Sequence, residues 1–283
     1  MTRIYRRQLA IALLLLAMIG PAAVQALPSA SKVPGGVALI RLAPVATGTE
    51  RPRAWFGERP VLVSSTNGYW FAVLGLALDL PLGAHELRVD NGSEAKNLRF
   101  EVGAKNYPAQ RITLKDRSKV LLSPTDEARA EREIAAITDL KQHWRGADDT
   151  DTSFLLPVAG RLASRFGLRR FFNGEARSPH VGLDVAVPSG TQVKAAARGQ
   201  VLAVDDYFFN GKTVFVDHGN GLITMYCHLN RIDVQPGDSV GKGQSIGLSG
   251  MTGRASGPHL HWSVVLNGVM VDPELFLEPK NNN

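Results

Sequence analysis

The sequence of 283 residues contains a single cysteine, Cys227. An intramolecular disulfide and a cysteine-rich zinc module are therefore excluded, and any metal site in this chain must use histidines and carboxylates. Beyond the N-terminal segment no apolar run is long enough to cross a bilayer, so we expect no membrane span in the mature chain. No basic run is interleaved with aromatic residues, and no nucleic-acid partner is expected.

The residues that are present predict a packed protein that is exported. Apolar residues make up 44% of the chain and charged residues 20%, a balance typical of a folded core. Residues 1–26 have the pattern of a secretory signal peptide: basic residues, an apolar run over 9–19, and small residues at Val24 and Ala26 for cleavage. An uncleaved membrane anchor is the alternative. The net charge of +6 includes three signal arginines and no signal acid, so the mature chain carries +3.

Short apolar runs separated by turn residues predict a mainly β protein with two domains. In the N-terminal part the runs are regularly spaced, and Asn67-Gly68 and Asp90-Asn91-Gly92 favour hairpin turns between them. This spacing predicts a small β-sandwich-like domain over 27–122. Over 153–283 the runs return with many glycine-containing turns and no helical periodicity, which predicts a second, all-β domain.

One helix is predicted between the two β regions. Ser123 can cap it, Pro124 suits the first helical position, and Asp126 can answer the cap. Apolar residues then recur at helical spacing. The polar segment 146–152 that follows has the composition of a linker, so 123–152 is assigned to a helical connector and linker.

Two histidine motifs of the second β region are candidates for chemistry. His180 and Asp184 are four residues apart, which in a straight strand is roughly 13 Å, too far to share one ion. They can meet only if the chain bends, and Gly182 permits a bend. His259 and His261 are two residues apart on a predicted strand and therefore point to the same face.

A third candidate, His228, ends another predicted strand of this region. Together the motifs offer two imidazoles and one carboxylate, a donor set suited to Zn²⁺ with one open position. Two further imidazoles are then available to move protons near neutral pH. The alternative is that these histidines are unrelated to one another.

The segment from about Gly160 to Pro273 resembles the M23 family of zinc metallopeptidases, also called the LytM or lysostaphin-type domain. The matching motifs, in order, are His180-Val-Gly-Leu-Asp184, Val216-Asp-His-Gly-Asn-Gly221, Thr224-Met-Tyr-Cys-His228, Gly243-Gln-Ser-Ile-Gly247, Gly257-Pro-His-Leu-His261 and Val271-Asp-Pro273. The resemblance implies a LytM-type peptidase fold over 153–283.

The resemblance also implies a role for each of the five candidate residues. His180, Asp184 and His261 are expected to bind one Zn²⁺ per chain. His228 and His259 are expected to flank the attacking water, which they orient or deprotonate, and to stabilise the oxyanion; which of them is the base is left open. All five positions are present, whereas degenerate members of the family that only bind and activate cell-wall amidases have lost ligands.

Other parts of the resemblance are less specific. In relatives the stretch before His180 lines one wall of the substrate groove, so Phe172, Asn173 and Arg177 are candidate substrate contacts, and Arg177 could pair with a carboxylate. The alternative is that these three residues only brace the loop. The N-terminal β region resembles, more weakly, a β domain that precedes the peptidase domain in some Gram-negative envelope proteins.

We therefore expect a secreted zinc metalloendopeptidase that hydrolyses peptide cross-links of peptidoglycan, with the peptide stems as its partner. By resemblance to periplasmic members, the bond from D-Ala to diaminopimelate and the periplasm are the first expectations. One alternative is a non-hydrolytic regulator that activates a cell-wall amidase. A hydrolase of glycine bridges is disfavoured because no wall-targeting module is recognisable.

Overall fold

The computed structural model describes residues 26–46, 50–92, 94–113 and 122–278, which form two β regions and a connecting helix. The mainly β fold class predicted from the sequence is confirmed. The predicted signal peptide lies outside the described residues except for Ala26. Within those ranges, no helix combines the length and the apolar character needed to cross a membrane.

The N-terminal half contributes one large sheet and an additional short strand. Its strands are β1 Val37–Pro44, β2 Arg53–Phe56, β3 Arg59–Thr66, β4 Tyr69–Gly75, β5 Gly83–Asp90, β6 Ala95–Val102 and β7 Ala109–Ile112. The first six form an antiparallel sheet in the order β1-β4-β3-β2-β5-β6. Buried residues from all six strands share one core, so the sheet folds back on itself in a sandwich-like manner.

The opposite face of this sheet is buried against the second half. Val37, Leu62 and Val73 belong to the main core of the C-terminal region, while their strand neighbours face the core of the N-terminal sheet. Consecutive apolar residues in these strands are thus explained, since alternate side chains enter different cores. At the same interface the Gly75 N–H donates to Asn267 Oδ1 at 2.7 Å.

The predicted helix is present as α1, Pro124–Lys141, and its N-terminus forms as expected. The Ser123 side chain accepts the Asp126 N–H at 3.1 Å, with Pro124 in the first turn. Ile137 and Leu140 pack this helix against a small apolar cluster of the C-terminal region. The helix is therefore docked on the second half rather than suspended between the two.

The polar segment 146–152 is packed as well, although its composition resembles a linker. Thr150 and Thr152 are buried. The Asn220 side chain donates to Ala147 O at 2.8 Å and to Thr150 Oγ1 at 2.9 Å. These hydrogen bonds replace water for the polar groups, which is why a polar segment can be buried here.

The C-terminal half is built on a sheet that carries the candidate site. Its strands are β8 Arg161–Ser164, β9 Arg169–Phe172, β10 Glu175–Arg177, β11 Leu183–Ala186, β12 Gln192–Lys194, β13 Gly199–Tyr207, β14 Gly211–Gly219, β15 Leu222–Ile232, β16 Ser239–Val240, β17 Ser245–Ser249, β18 His259–Leu266 and β19 Val269–Val271, followed by a 3-10 helix at Pro273–Phe276. The main path runs β16-β13-β14-β15-β18-β11-β8. The three strands β15, β18 and β11, which hold four of the five candidate residues, are therefore adjacent.

A second, three-stranded sheet joins the two halves of the chain. Its order is β10-β9-β7, and β7 of the N-terminal half pairs parallel to β9. The β9–β10 hairpin turns at Asn173-Gly174, where both residues have positive φ, 51° and 86°. Two such residues are the requirement of a type I′ turn.

Candidate metal centre

Strand register brings the carboxylate and one histidine of the candidate site side by side. Asp184 on β11 lies directly opposite His261 on β18. His180 lies just before β11, and the chain between them passes close to the His261 ring. A side chain at Gly182 would place its Cβ 2.6 Å from His261 Cε1, so glycine is required here for close approach.

Three potential ligand atoms converge at one point. His180 Nε2 lies 3.0 Å from Asp184 Oδ1 and 3.1 Å from His261 Nδ1, and His261 Nδ1 lies 2.8 Å from the same oxygen. Tetrahedral Zn²⁺ with ligands at about 2.1 Å holds them roughly 3.4 Å apart, so a small expansion of this triangle accepts the ion. These are the three residues that the family resemblance implies as metal ligands.

Hydrogen bonds at the far side of each ring fix which nitrogen faces the triangle. His180 Nδ1 lies 2.9 Å from Arg165 O, a carbonyl that can only accept, so Nδ1 carries the proton and Nε2 keeps its electron pair. Ser263 Oγ donates to Val181 O at 2.9 Å and therefore accepts from His261 Nε2 at 2.9 Å, which leaves His261 Nδ1 with its pair.

This donor arrangement fits a metal ion. Two imidazole electron pairs and one carboxylate oxygen face each other with no proton assigned between them, and a cation placed among them satisfies all three. Each imidazole is held from behind by a carbonyl or a hydroxyl, the usual outer-shell arrangement of ligating histidines.

His228 reaches the same place through a departure from regular strand geometry. Between the pairs Val214–Tyr226 and Lys212–Leu229, β15 has one residue more than β14, which is a β-bulge. His228 within it has φ of 61°, a left-handed conformation that is uncommon outside glycine. Its ring centroid consequently lies 4.7 Å from that of His259 and 6.1 Å from that of His261.

The rings of His228 and His259 are each held by a hydrogen bond from Nδ1 to a backbone carbonyl. His228 Nδ1 donates to Thr252 O at 2.9 Å, and His259 Nδ1 donates to Gly257 O at 2.8 Å. Both Nε2 atoms are left for the site, and that of His259 lies 3.8 Å from Asp184 Oδ1. The structure thus brings all five sequence-predicted residues together in one place.

The surroundings fix the charge states of two of these residues. Burial lowers the pKa of His228 to about 4, which the hydrogen bond to Thr252 O opposes only in part, so this imidazole is neutral near pH 7. Burial alone would raise the pKa of Asp184, but contacts with His180 and His261 outweigh it and hold that pKa well below its usual range. Asp184 is therefore ionised, and His228 can accept a proton.

The five residues lie in a cleft of about 630 Å³. Its walls include Leu168 and Arg170, from the stretch before His180 that was expected to line the groove, and three residues to which the sequence alone assigned no role: Gln110, Phe209 and Arg254. Phe209 is 40% exposed, unusual for an aromatic side chain, and that exposure is not visible in the sequence. Gln110 comes from β7, so both halves of the chain line the cleft.

Of the three predicted substrate contacts, Asn173 and Arg177 are not among the described residues that line this cleft. Asn173 forms the type I′ turn, and Arg177 Nη2 donates to Glu175 Oε2 at 2.9 Å on its own strand. The backbone of Phe172 pairs in the hairpin, and its side chain lies outside the described part of the structure. Contact between these residues and a substrate stays a prediction.

His218 and Cys227 lie outside the metal triangle, and their contacts indicate structural roles. His218 is buried and bonds to Arg198 O at 2.7 Å and to Thr224 Oγ1 at 2.8 Å, so both ring nitrogens are engaged. Cys227 is buried in the apolar cluster that also contacts α1. Its burial raises the pKa of the thiol to about 11, so it is not a thiolate near neutrality.

Comparison with known proteins gives matches in both halves. The family model described as peptidase family M23 matches residues 178–273, and the model of the M23 N-terminal domain matches residues 30–105. The solved structure of a Pseudomonas aeruginosa protein assigned to peptidase M23 is 41% identical, with a TM-score of 0.73, and the match covers 87% of this chain and 95% of that one.

Curated relatives match about two fifths of this chain. Peptidoglycan DD-endopeptidase ShyA of Vibrio cholerae is 42% identical over 109 residues, which is 38% of this chain and 25% of the relative. DD-carboxypeptidase/endopeptidase Mpg of Neisseria meningitidis is 38% identical over 116 residues, 41% of this chain and 27% of the relative. The chain thus spans about a quarter of the length of these curated relatives.

The β architecture and the His-Asp-His donor set define a metallopeptidase. The chain belongs to peptidase family M23. The resemblance drawn from the motifs of the C-terminal half is confirmed, and so is the weaker one of the N-terminal β region.

Proposed function

We propose that the protein is a secreted zinc endopeptidase that hydrolyses peptide cross-links of peptidoglycan in the periplasm. The observation that carries this proposal is the convergence of His180, Asp184 and His261 beside His228 and His259 in one open cleft. A non-hydrolytic regulator of an amidase would not require such a donor set, and its completeness opposes that alternative.

His180 Nε2, Asp184 and His261 Nδ1 would hold the ion. Bound Zn²⁺ polarises a carbonyl and lowers the pKa of water toward neutrality. His228 is neutral and can accept a proton from an attacking water at Nε2, because its Nδ1 is committed to Thr252 O. His259 Nε2 lies 3.8 Å from Asp184 Oδ1, and because Nδ1–H is already given to Gly257 O, Nε2 can donate a hydrogen bond to a developing oxyanion only when the ring is doubly protonated.

The substrate class is inferred from the relatives. Two of them are named peptidoglycan DD-endopeptidases and are 41–42% identical to this chain over the matched residues, and the M23 peptidase model matches residues 178–273, which hold the five site residues. The cleft of about 630 Å³ is open to solvent and suits a peptide segment. The D-Ala to diaminopimelate bond is accordingly the bond we propose, and the N-terminal signal pattern supports export to the compartment where that bond occurs.

A digestion of purified cross-linked muropeptides tests this function. The full chain, reconstituted with one equivalent of Zn²⁺, is expected to convert dimers to monomers, with a new amino group on diaminopimelate identified by mass spectrometry. The matched control is His180→Ala, which keeps the rest of the cleft and should release nothing. Zinc-loaded enzyme that leaves the dimers intact would contradict the proposal.

A further inference from the structure

The small three-stranded sheet contributes two polar residues to the cleft wall beside Asp184. Gln110 on β7 lies directly beside Arg170 on β9, and both line the cleft. Their neighbours Arg111 and Phe171 form a cation–π pair, with 4.6 Å from the guanidinium carbon to the ring centroid, on the other face. Strand alternation therefore directs Gln110 and Arg170 to the cleft side.

The Arg170 guanidinium is only weakly engaged by the protein. Among the described residues its polar contacts are Nη2 to Ser164 Oγ at 3.5 Å and Nη2 to Asp184 Oδ2 at 3.9 Å, both long. A guanidinium has five N–H donors, so most of those on Arg170 have no acceptor among the residues that the structure describes. Its side chain is 34% exposed, so water reaches it from the cleft only in part.

Other cations near the cleft are held by partners. Arg254 stacks over Phe208 with its guanidinium carbon 5.6 Å from the ring centroid, and Arg177 is paired with Glu175. Asp184 contributes the one carboxylate among the described lining residues, and it is committed to the metal triangle. With a divalent cation bound, Asp184 is the one carboxylate among the described lining residues set against that ion, Arg170 and Arg254, and this excess of positive charge favours an anionic group on the substrate.

We propose that Arg170, assisted by the Gln110 amide, binds a carboxylate on a residue that flanks the scissile bond. This inference rests on the proposed function and specifies its substrate. A planar carboxylate accepts two parallel N–H bonds from a guanidinium, which matches the free donors of Arg170. The position follows from the distances: Nη2 lies 3.9 Å from an oxygen of the metal-binding Asp184, so the recognised carboxylate lies next to the reacting carbonyl.

A pair of synthetic cross-linked peptides tests the proposal. One peptide carries a free carboxylate on the residue that donates the scissile amide nitrogen, and the other carries a primary carboxamide at that position. The full chain, loaded with zinc, is compared with Arg170→Gln, Arg170→Lys and Gln110→Ala. The matched control is Arg169→Gln, which makes the same charge change on the adjacent, exposed residue of β9.

The expected result is a change in discrimination between the two peptides. Arg170→Gln should lower kcat/KM roughly 10- to 100-fold on the carboxylate peptide, mainly through KM, and leave the carboxamide peptide nearly unchanged. Arg170→Lys and Gln110→Ala should show smaller losses of the same kind, and Arg169→Gln should match the wild type. Zinc content should stay at one equivalent in every variant.

Three results would overturn the inference. Equal losses on both peptides would show that Arg170 supports the site without recognising the carboxylate, and loss of zinc from Arg170→Gln would show that it acts through Asp184. Both leave the proposed function intact if the wild type cleaves. If the wild type cleaves neither peptide, the proposed function fails and this inference fails with it.

Discussion

The two halves of this chain are both β structures, yet the chemistry lies in one of them. In the N-terminal sheet, His85 packs beside Phe56 and Phe100, with ring centroids 6.0 and 5.8 Å away, and its Nε2 donates to Pro81 O. In the C-terminal sheet, each site histidine is oriented by one nitrogen and presents the other to a shared cleft. The difference arises from departures from regular strand geometry, such as the bulge at His228, rather than from strand content.

The N-terminal half nevertheless takes part in the site. One face of its sheet completes the main core through Leu62 and Val73, and its strand β7 extends the cleft wall with Gln110. We infer that the C-terminal half carries the catalytic residues, while the N-terminal half packs against its core and forms part of the cleft wall.

The largest effects are expected from substitutions in the C-terminal half, where zinc content and activity together distinguish a metal ligand from a residue that transfers protons. His261→Ala should lose both zinc and activity because it removes a metal ligand. His228→Ala should keep close to one equivalent of zinc and lose roughly 10²- to 10⁴-fold in kcat, the usual contribution of a proton-transferring side chain. Metal analysis and turnover of muropeptide dimers measure both. Zinc loss from His228→Ala equal to that from His261→Ala would refute the division of roles.

Next in size are the effects on the interface between the halves. Leu62→Ala removes a side chain from the shared core, and Leu74→Ala, its matched control, removes one from the N-terminal core; both are fully buried. Each should lower the free energy of unfolding by about 2–5 kcal/mol. The shared core predicts that the protein unfolds in one transition.

Denaturant unfolding followed by circular dichroism and by tryptophan fluorescence checks this prediction. Of the four tryptophans, Trp55 and Trp70 lie in the N-terminal sheet and Trp144 and Trp262 lie in the C-terminal half, so fluorescence reports on both halves and its transition should coincide with that of circular dichroism. Two separate transitions, with Leu62→Ala affecting neither more than a surface substitution does, would show that the halves are independent.

A smaller effect is expected at the hydroxyl behind a metal ligand. Ser263→Ala removes the acceptor for His261 Nε2–H, so the ring can adopt the wrong tautomer. Zinc affinity, measured by competition with a chelator, should fall about 10- to 100-fold, the usual size of an outer-shell effect. Ser263→Thr, which keeps the hydroxyl, serves as the control. Unchanged affinity in Ser263→Ala would mean that the tautomer is set by other contacts.

The smallest effect is expected at the cysteine beside a catalytic histidine. Cys227→Ser should retain nearly all activity, because the buried thiol has a pKa of about 11 and bonds only weakly, with Asn210 Nδ2 3.4 Å from its sulfur. Alkylation of the folded protein at pH 8 should be slow compared with the unfolded chain. Rapid alkylation that abolishes turnover would contradict this structural assignment.

The sequence predicted well what depends on local pattern. The helix at 124–141 followed from Ser123 and Pro124, and the shared face of His259 and His261 followed from strand alternation. The continuous apolar runs of β3 and β4 also carried a signal of burial on both faces. The sequence assigns these two strands to a sandwich-like domain, because no local pattern indicates that the C-terminal half covers the other face of the sheet.

What the sequence could not predict depends on pairing and backbone geometry. Regular alternation puts His228 on the opposite face from Cys227, and only the left-handed bulge brings it to the cleft. The four-residue strand β7 pairs with β9 about sixty residues further along the chain, a contact with no local signature. Because that pairing has no local signature, the sequence does not predict that Arg170 and Gln110 are neighbours.

The metal triangle is the central claim, and anomalous diffraction at the zinc edge from crystals of the zinc-loaded protein tests it most directly. We predict one strong peak about 2.0–2.2 Å from His180 Nε2, from an Asp184 carboxylate oxygen and from His261 Nδ1. A peak bound instead through His228, or through the Nε2 atom of His261, would contradict the account.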